Sequence, residues 1–102
     1  MFVHATLTQS GTENESQITQ DNGTGSSDDN NRATVTQSGV DNFSEVSQTN
    51  DFSTATVEQS GTGNDSDVSQ SGDLDVADVE QTGTDNESTV TQSGNQIGRA
   101  HV

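Results

Sequence analysis

The sequence predicts an all-β protein, a β-solenoid of stacked two-strand rungs that becomes cross-β on polymerisation. Three observations predict it: a 22-residue repeat made of two similar 11-residue halves, a period-two alternation inside each half, and a glycine or asparagine closing each alternating run. Residues 33–43 map onto 44–54, and the pair recurs at 55–76 and 77–99. An earlier copy spans 5–32 and a partial one 100–102, so residues 1–102 read as a single domain of rungs 5–32, 33–54, 55–76 and 77–99 with a fragment.

The first position of each half alternates without exception: Ala5, Ser16, Ala33, Ser44, Ala55, Ser66, Ala77, Ser88, Ala100. The third is aliphatic: Leu7, Ile18, Val35, Val46, Val57, Val68, Val79, Val90 and Val102. The fifth is Gln9, Gln20, Gln37, Gln48, Gln59, Gln70, Gln81 and Gln92. The seventh is Gly11, Gly39, Gly61, Gly72, Gly83 and Gly94, with Asn22 and Asn50 in the remaining halves. Every first half carries an asparagine at its tenth position: Asn14, Asn42, Asn64 and Asn86. Spacings between first-half alanines locate two insertions, six residues before Ala33 and one before Ala100.

An 11-residue period also suits a helix, but a helix needs three to four apolar positions per two turns on one stripe. Here each half offers one aliphatic beside Thr, Ser, Asn and Gly, which all disfavour a helix interior. Ala-x-Val-x-Gln instead puts three side chains on one face of a strand. The glycine that follows suits a tight bend with positive φ. Stacking such rungs about 4.8 Å apart pairs their backbones and superimposes like side chains. Valines then form the aliphatic core, and each glutamine, with both donor and acceptor, bonds the next in an amide ladder to which the arc asparagines add.

Composition alone would indicate disorder: 23% of residues are hydrophobic, and 17 acidic residues face only Arg32 and Arg99, a net charge of −15. Too little apolar surface exists for one rung to offset its ordering entropy, so stability has to come from contacts between rungs. The charge excludes nucleic acid as a partner, since phosphate binding needs lysine and arginine. No apolar run approaches the ~20 residues of a membrane span, so no membrane insertion is expected. Met1-Phe2-Val3-His4 lacks the charged start and apolar core of a signal peptide, which fits a cytosolic protein or a mature secreted chain. With no cysteine, the redox compartment stays open. No catalytic constellation, cofactor motif or metal-ligand spacing is present, and no enzyme is expected.

Gln-x-Gly-x-x-Asn-x-Ser-x-Val-x-Gln, at 37–48, 59–70 and 81–92, resembles the curlin repeat, the repeat of the major subunit of curli, a bacterial functional amyloid. The resemblance covers about residues 5–102. It implies a secreted subunit assembling into cell-surface fibres of the extracellular biofilm matrix, with itself as chief partner and nucleator, secretion and chaperone proteins as further ones. It also implies that the inward glutamines and asparagines carry the stacking. Asn22 and Asn50 depart from the pattern, as do the long arc at 21–32 and the scarcity of aromatics. The leader and secretion-targeting segment expected upstream are not in this sequence. Major subunit and nucleator both remain open.

Other features admit milder readings. Glu45 over Asp67, Glu58 over Glu80, Asp51 over Asp73 and Asp65 over Glu87 are like-charge pairs at rung spacing. They read as solvated charge holding monomers apart, or as a repulsion that protons or divalent cations relieve. The arc from Asp21 to Asn31 is rich in oxygen donors but lacks a calcium-loop spacing, and reads as a solvent loop. Thr6/Thr8, Thr34/Thr36 and Thr89/Thr91 resemble ice-binding faces, yet Glu58, Asp78 and Glu80 break the row. Glycosylation-like triplets at Asn14, Asn42, Asn64 and Asn86 follow from the repeat itself, and His4 and His101 read as untethered terminal histidines. A self-assembling fibre subunit adding head-to-tail through open end rungs is therefore expected, Ala100–Val102 reading as the opening of a further rung. A monomeric solenoid binding ice or a surface ligand, and a calcium-dependent adhesin repeat, are the alternatives.

Overall fold

The computed structural model describes residues 3–21, 30–49, 51–93 and 100–101. Nine strands lie among them: β1 (His4–Thr12), β2 (Glu15–Asp21), β3 (Arg32–Val40), β4 (Phe43–Thr49), β5 (Thr54–Thr62), β6 (Asp65–Gln70), β7 (Val76–Thr84), β8 (Glu87–Gln92) and β9 (Ala100–His101). The described residues contain no helix. Odd-numbered strands form one sheet in the order β1-β3-β5-β7-β9, and even-numbered strands form the other, β2-β4-β6-β8. All neighbours are parallel. This is the β-solenoid that the repeat predicts.

Pairing follows the repeat residue by residue. Val35 aligns with Val57 and Val57 with Val79, while Val46 aligns with Val68 and Val68 with Val90. The six-residue insertion falls between Asp21 and Arg32 and leaves the register intact, with Ala5 opposite Ala33 and Ser16 opposite Ser44. Lengthening a connection between strands need not disturb a ladder whose side-chain period is two.

Alternation decides which side chains are covered. Along β3, Ala33, Val35 and Gln37 are buried while their neighbours are not, and β5 repeats this with Ala55, Val57 and Gln59. The core comprises the alanines at 33, 55 and 77 with the valines at 35, 46, 57, 68, 79 and 90, and Ile18 packs against it half-buried. Leu7 departs from its expected core place, being 46% exposed. It stands in register with Val35, but β1 is the edge of its sheet. With a neighbouring strand on one side only, its side chain stays open to solvent. Val102, Gly94, Asn22 and Asn50 lie outside the described residues, and of Ala100 and His101 only the backbone pairing is described.

The arcs correct the glycine reading. Gly11, Gly39, Gly61 and Gly83 do take positive φ, between 98° and 111°. Gly72 does not: the left-handed residue of its arc is Leu74, φ 61°. The ninth position of a half is left-handed throughout the described arcs, at Glu13, Asp41, Phe52, Gly63, Leu74 and Asp85. Second-half arcs therefore turn at position nine, where no sequence signal marks Phe52 or Leu74. A bulky residue there is strained, and Leu74 is 45% exposed, so it recovers little by burial. Leu74→Gly is expected to stabilise the fold by about 0.5–1 kcal/mol, read as a higher denaturant midpoint of freshly prepared monomer. A lower midpoint would show that Leu74 packs more than it strains.

Candidate functional site

The inward polar side chains tie one rung to the next. In the first ladder Gln9 Nε2 donates to Gln37 Oε1 at 2.7 Å, Gln37 to Gln59 at 2.8 Å, and Gln59 to Gln81 at 2.7 Å. In the second, Gln20 donates to Gln48 at 2.8 Å, Gln48 to Gln70 at 2.9 Å, and Gln70 to Gln92 at 2.9 Å. From Gln20 onward the ladder amides also donate across to the opposite sheet. Gln37 reaches the Glu15 carbonyl at 3.0 Å and Gln59 that of Phe43 at 2.9 Å. Gln48 reaches Arg32 and Gln70 reaches Thr54, both at 3.0 Å. Buried amides are tolerated here because both N–H donors find acceptors.

Asparagines fasten the first-half arcs. Asn42 Nδ2 donates to the carbonyls of Ser38 at 2.9 Å and Gly61 at 3.2 Å. Its Oδ1 accepts the backbone N–H of Asn64 at 3.0 Å, and Asn14 and Asn64 repeat that link to Asn42 and Asn86. In both amide ladders every glutamine donates toward the next rung, whereas each asparagine Oδ1 accepts from it, so the two ends of the stack are chemically different. Gln9 and Gln20 begin the ladders, and all nine residues of β1 are exposed.

The second-half arcs hold a column that the repeat did not reveal, because its side chains differ: Asn31, Ser53 and Asp75, all fully buried. Asn31 Oδ1 accepts the Ser53 N–H at 3.0 Å, and Ser53 Oγ donates to the Gly72 carbonyl at 3.0 Å. Asp75 Oδ2 accepts the Gly72 N–H at 3.0 Å, while its Oδ1 has no partner among the described residues. The only available signal was positional, since these residues occupy the place of Asn42 and Asn64 in the other half. Asp75→Asn would supply an N–H donor in the geometry that Asn42 uses toward Ser38. A gain of about 1–3 kcal/mol in unfolding free energy at neutral pH is expected. A loss would mean that the carboxylate oxygen is satisfied in solution.

Acidic residues occupy the outer faces. Glu45 pairs in register with Asp67, Glu58 with Glu80, and Asp65 with Glu87. Asp51 and Asp73 differ, because the Asp51 N–H donates to Asp73 Oδ1 at 3.3 Å. Thr34 and Thr56 continue the outer row from Thr6 until Asp78 interrupts it. Among the described residues, no three His, Asp or Glu side chains converge as metal ligands. The described surface has shallow hollows, one lined by Glu80, Gln81, Thr82, Asn86 and Glu87 and another by His4, Thr6 and Arg32.

Parallel in-register strands, stacked valines and continuous amide ladders define a structural repeat protein of the parallel β-solenoid class. The curlin associated repeat matches residues 29–61 and 61–94, and the chain belongs to that family. At family level these repeats mark a curli-type structural subunit. No curated relative matches the chain.

Proposed function

We propose that the chain is a self-assembling fibre subunit of a curli-like functional amyloid, secreted and built into the extracellular biofilm matrix by head-to-tail stacking of end rungs. The observation that carries this reading is the β1 edge, which no other described strand covers and which offers a full row of backbone groups in the register that β3, β5 and β7 already use. Such an edge on a folded chain is a template for another strand. Leu7, exposed on that edge in register with the valine column, gains burial when a second copy covers it. In this reading Gln9, Gln20 and Asn14 extend their ladders into the neighbouring copy. The acidic columns keep the flanks apart, which favours addition along the axis over lateral clumping. Nucleator, secretion and chaperone proteins are the further partners.

Purified chain left at room temperature should convert from monomer to unbranched fibres, followed by thioflavin fluorescence and electron microscopy. A sample that stays monomeric by sedimentation would overturn the proposal.

A further inference from the structure

The alternation of alanine and serine at the first position of each half has a use beyond stacking. Ser16, Ser44, Ser66 and Ser88 stand in register in the even sheet. Ser44 and Ser66 are fully buried and Ser88 is 4% exposed. The hydroxyls of all four are buried and have no hydrogen-bond partner among the described residues. Packing does not demand a hydroxyl there, because the matching place in the odd sheet is filled by Ala33, Ala55 and Ala77. Nor are hydroxyls generally orphaned in this fold: Ser53 Oγ, equally buried, donates to the Gly72 carbonyl. Unpartnered buried hydroxyls are costly, and a column of four multiplies that cost.

We propose that the serine column holds a file of buried water molecules, one between each pair of successive serines. Hydroxyls one rung apart, about 4.8 Å, are too distant to bond each other. Two hydrogen bonds of about 2.8 Å meeting at about 118° span that gap, which is the geometry of one bridging water. A third partner is at hand. Gln37, Gln59 and Gln81 donate to the carbonyls of Glu15, Phe43 and Asp65, the residues just before Ser16, Ser44 and Ser66, so the amide ladder runs beside the column. Each ladder Oε1 that accepts one bond keeps a second lone pair. Three partners is the usual number for a buried water. Ser16, half-buried at the open end, is the entry. The file belongs to the single chain and does not depend on copies stacking.

Oxygen-17 magnetic relaxation dispersion of freshly prepared monomer tests this, since it counts long-lived internal waters without interference from hydroxyl proton exchange. About three such waters are expected in the wild-type chain, one per gap, with a drop toward none in the Ser44→Ala, Ser66→Ala, Ser88→Ala triple variant. No long-lived water in the wild type, or an unchanged number in the variant, would overturn the file. Should the triple variant fail to fold, the wild-type count decides alone.

Discussion

Gly61→Ala is expected to destroy the ordered stack. At Gly61, φ is 111°, and a Cβ there would lie 2.0 Å from the Gly83 carbonyl oxygen and 2.9 Å from its carbonyl carbon. Those are backbone atoms of the next rung, so the clash cannot be relieved by a rotamer change. It can be relieved only by parting β5 from β7. Separating the two strands would also loosen the Gln59–Gln81 bond and the Asn64 bond to the Gly83 carbonyl. The loss is expected to exceed about 4 kcal/mol, the range reserved for backbone or core disruption. Gly39→Ala should match it, with Gly61 as the obstructing carbonyl at 2.0 Å. Gly83→Ala is the internal control: the nearest atom to its Cβ is Asn86 Nδ2 at 3.5 Å, leaving only the left-handed strain of about 1–2 kcal/mol. Denaturant midpoints of the three variants should rank Gly83→Ala well above the other two. Equal midpoints would mean that the arcs do not pack as closely as these distances require.

Gln59→Glu should be nearly as damaging at neutral pH. Gln59 is fully buried, accepts from Gln37, and donates to Gln81 and to the Phe43 carbonyl. A carboxylate has the same shape but no donor, and both of those acceptors would face it. A buried, uncompensated charge costs about 3–5 kcal/mol. Burial raises the folded-state pKa of such an acid above its unfolded value of about 4.3. The penalty is therefore small below pH 4 and grows as pH rises past that value. The stability of the variant relative to wild type should fall steadily from about pH 4 upward. Gln59→Leu, which removes the bonds without adding charge, should show a pH-independent loss relative to wild type. A Gln59→Glu profile as flat as that of Gln59→Leu would show that the site is hydrated enough to hold the charge.

The fold was legible because its governing residues recur at a fixed offset. Val35 and Gln37 announce a buried strand face through period-two alternation, and their recurrence at Val57 and Gln59 announces the stacking partner. What stayed hidden depends on single positions. Nothing in Phe52 or Leu74 as residue types suggests a left-handed backbone, so sequence alone points to the glycine position for the turn. Asn31, Ser53 and Asp75 share a column without sharing chemistry, and a search for identical side chains passes over them. The pattern puts Leu7 in the core, but pattern does not register that among the described strands β1 has a neighbour on one side only. The Ala/Ser alternation is plain in the sequence, but the burial of the serine hydroxyls, without partners among the described residues, depends on how the rungs pack.

Mass per unit length of the assembled fibre, measured by dark-field scanning transmission electron microscopy, tests the stacking mode most directly. A chain of 10.6 kDa that contributes four rungs along the axis, each about 4.8 Å, gives about 0.5 kDa per Å for a single column of subunits. Small integer multiples of that value would correspond to paired columns. A chain lying flat, one per 4.8 Å layer, as in a generic in-register amyloid, would give about 2.2 kDa per Å. The lower value is expected if subunits add as folded solenoids through their end rungs. The higher value, or the absence of fibres, would contradict it.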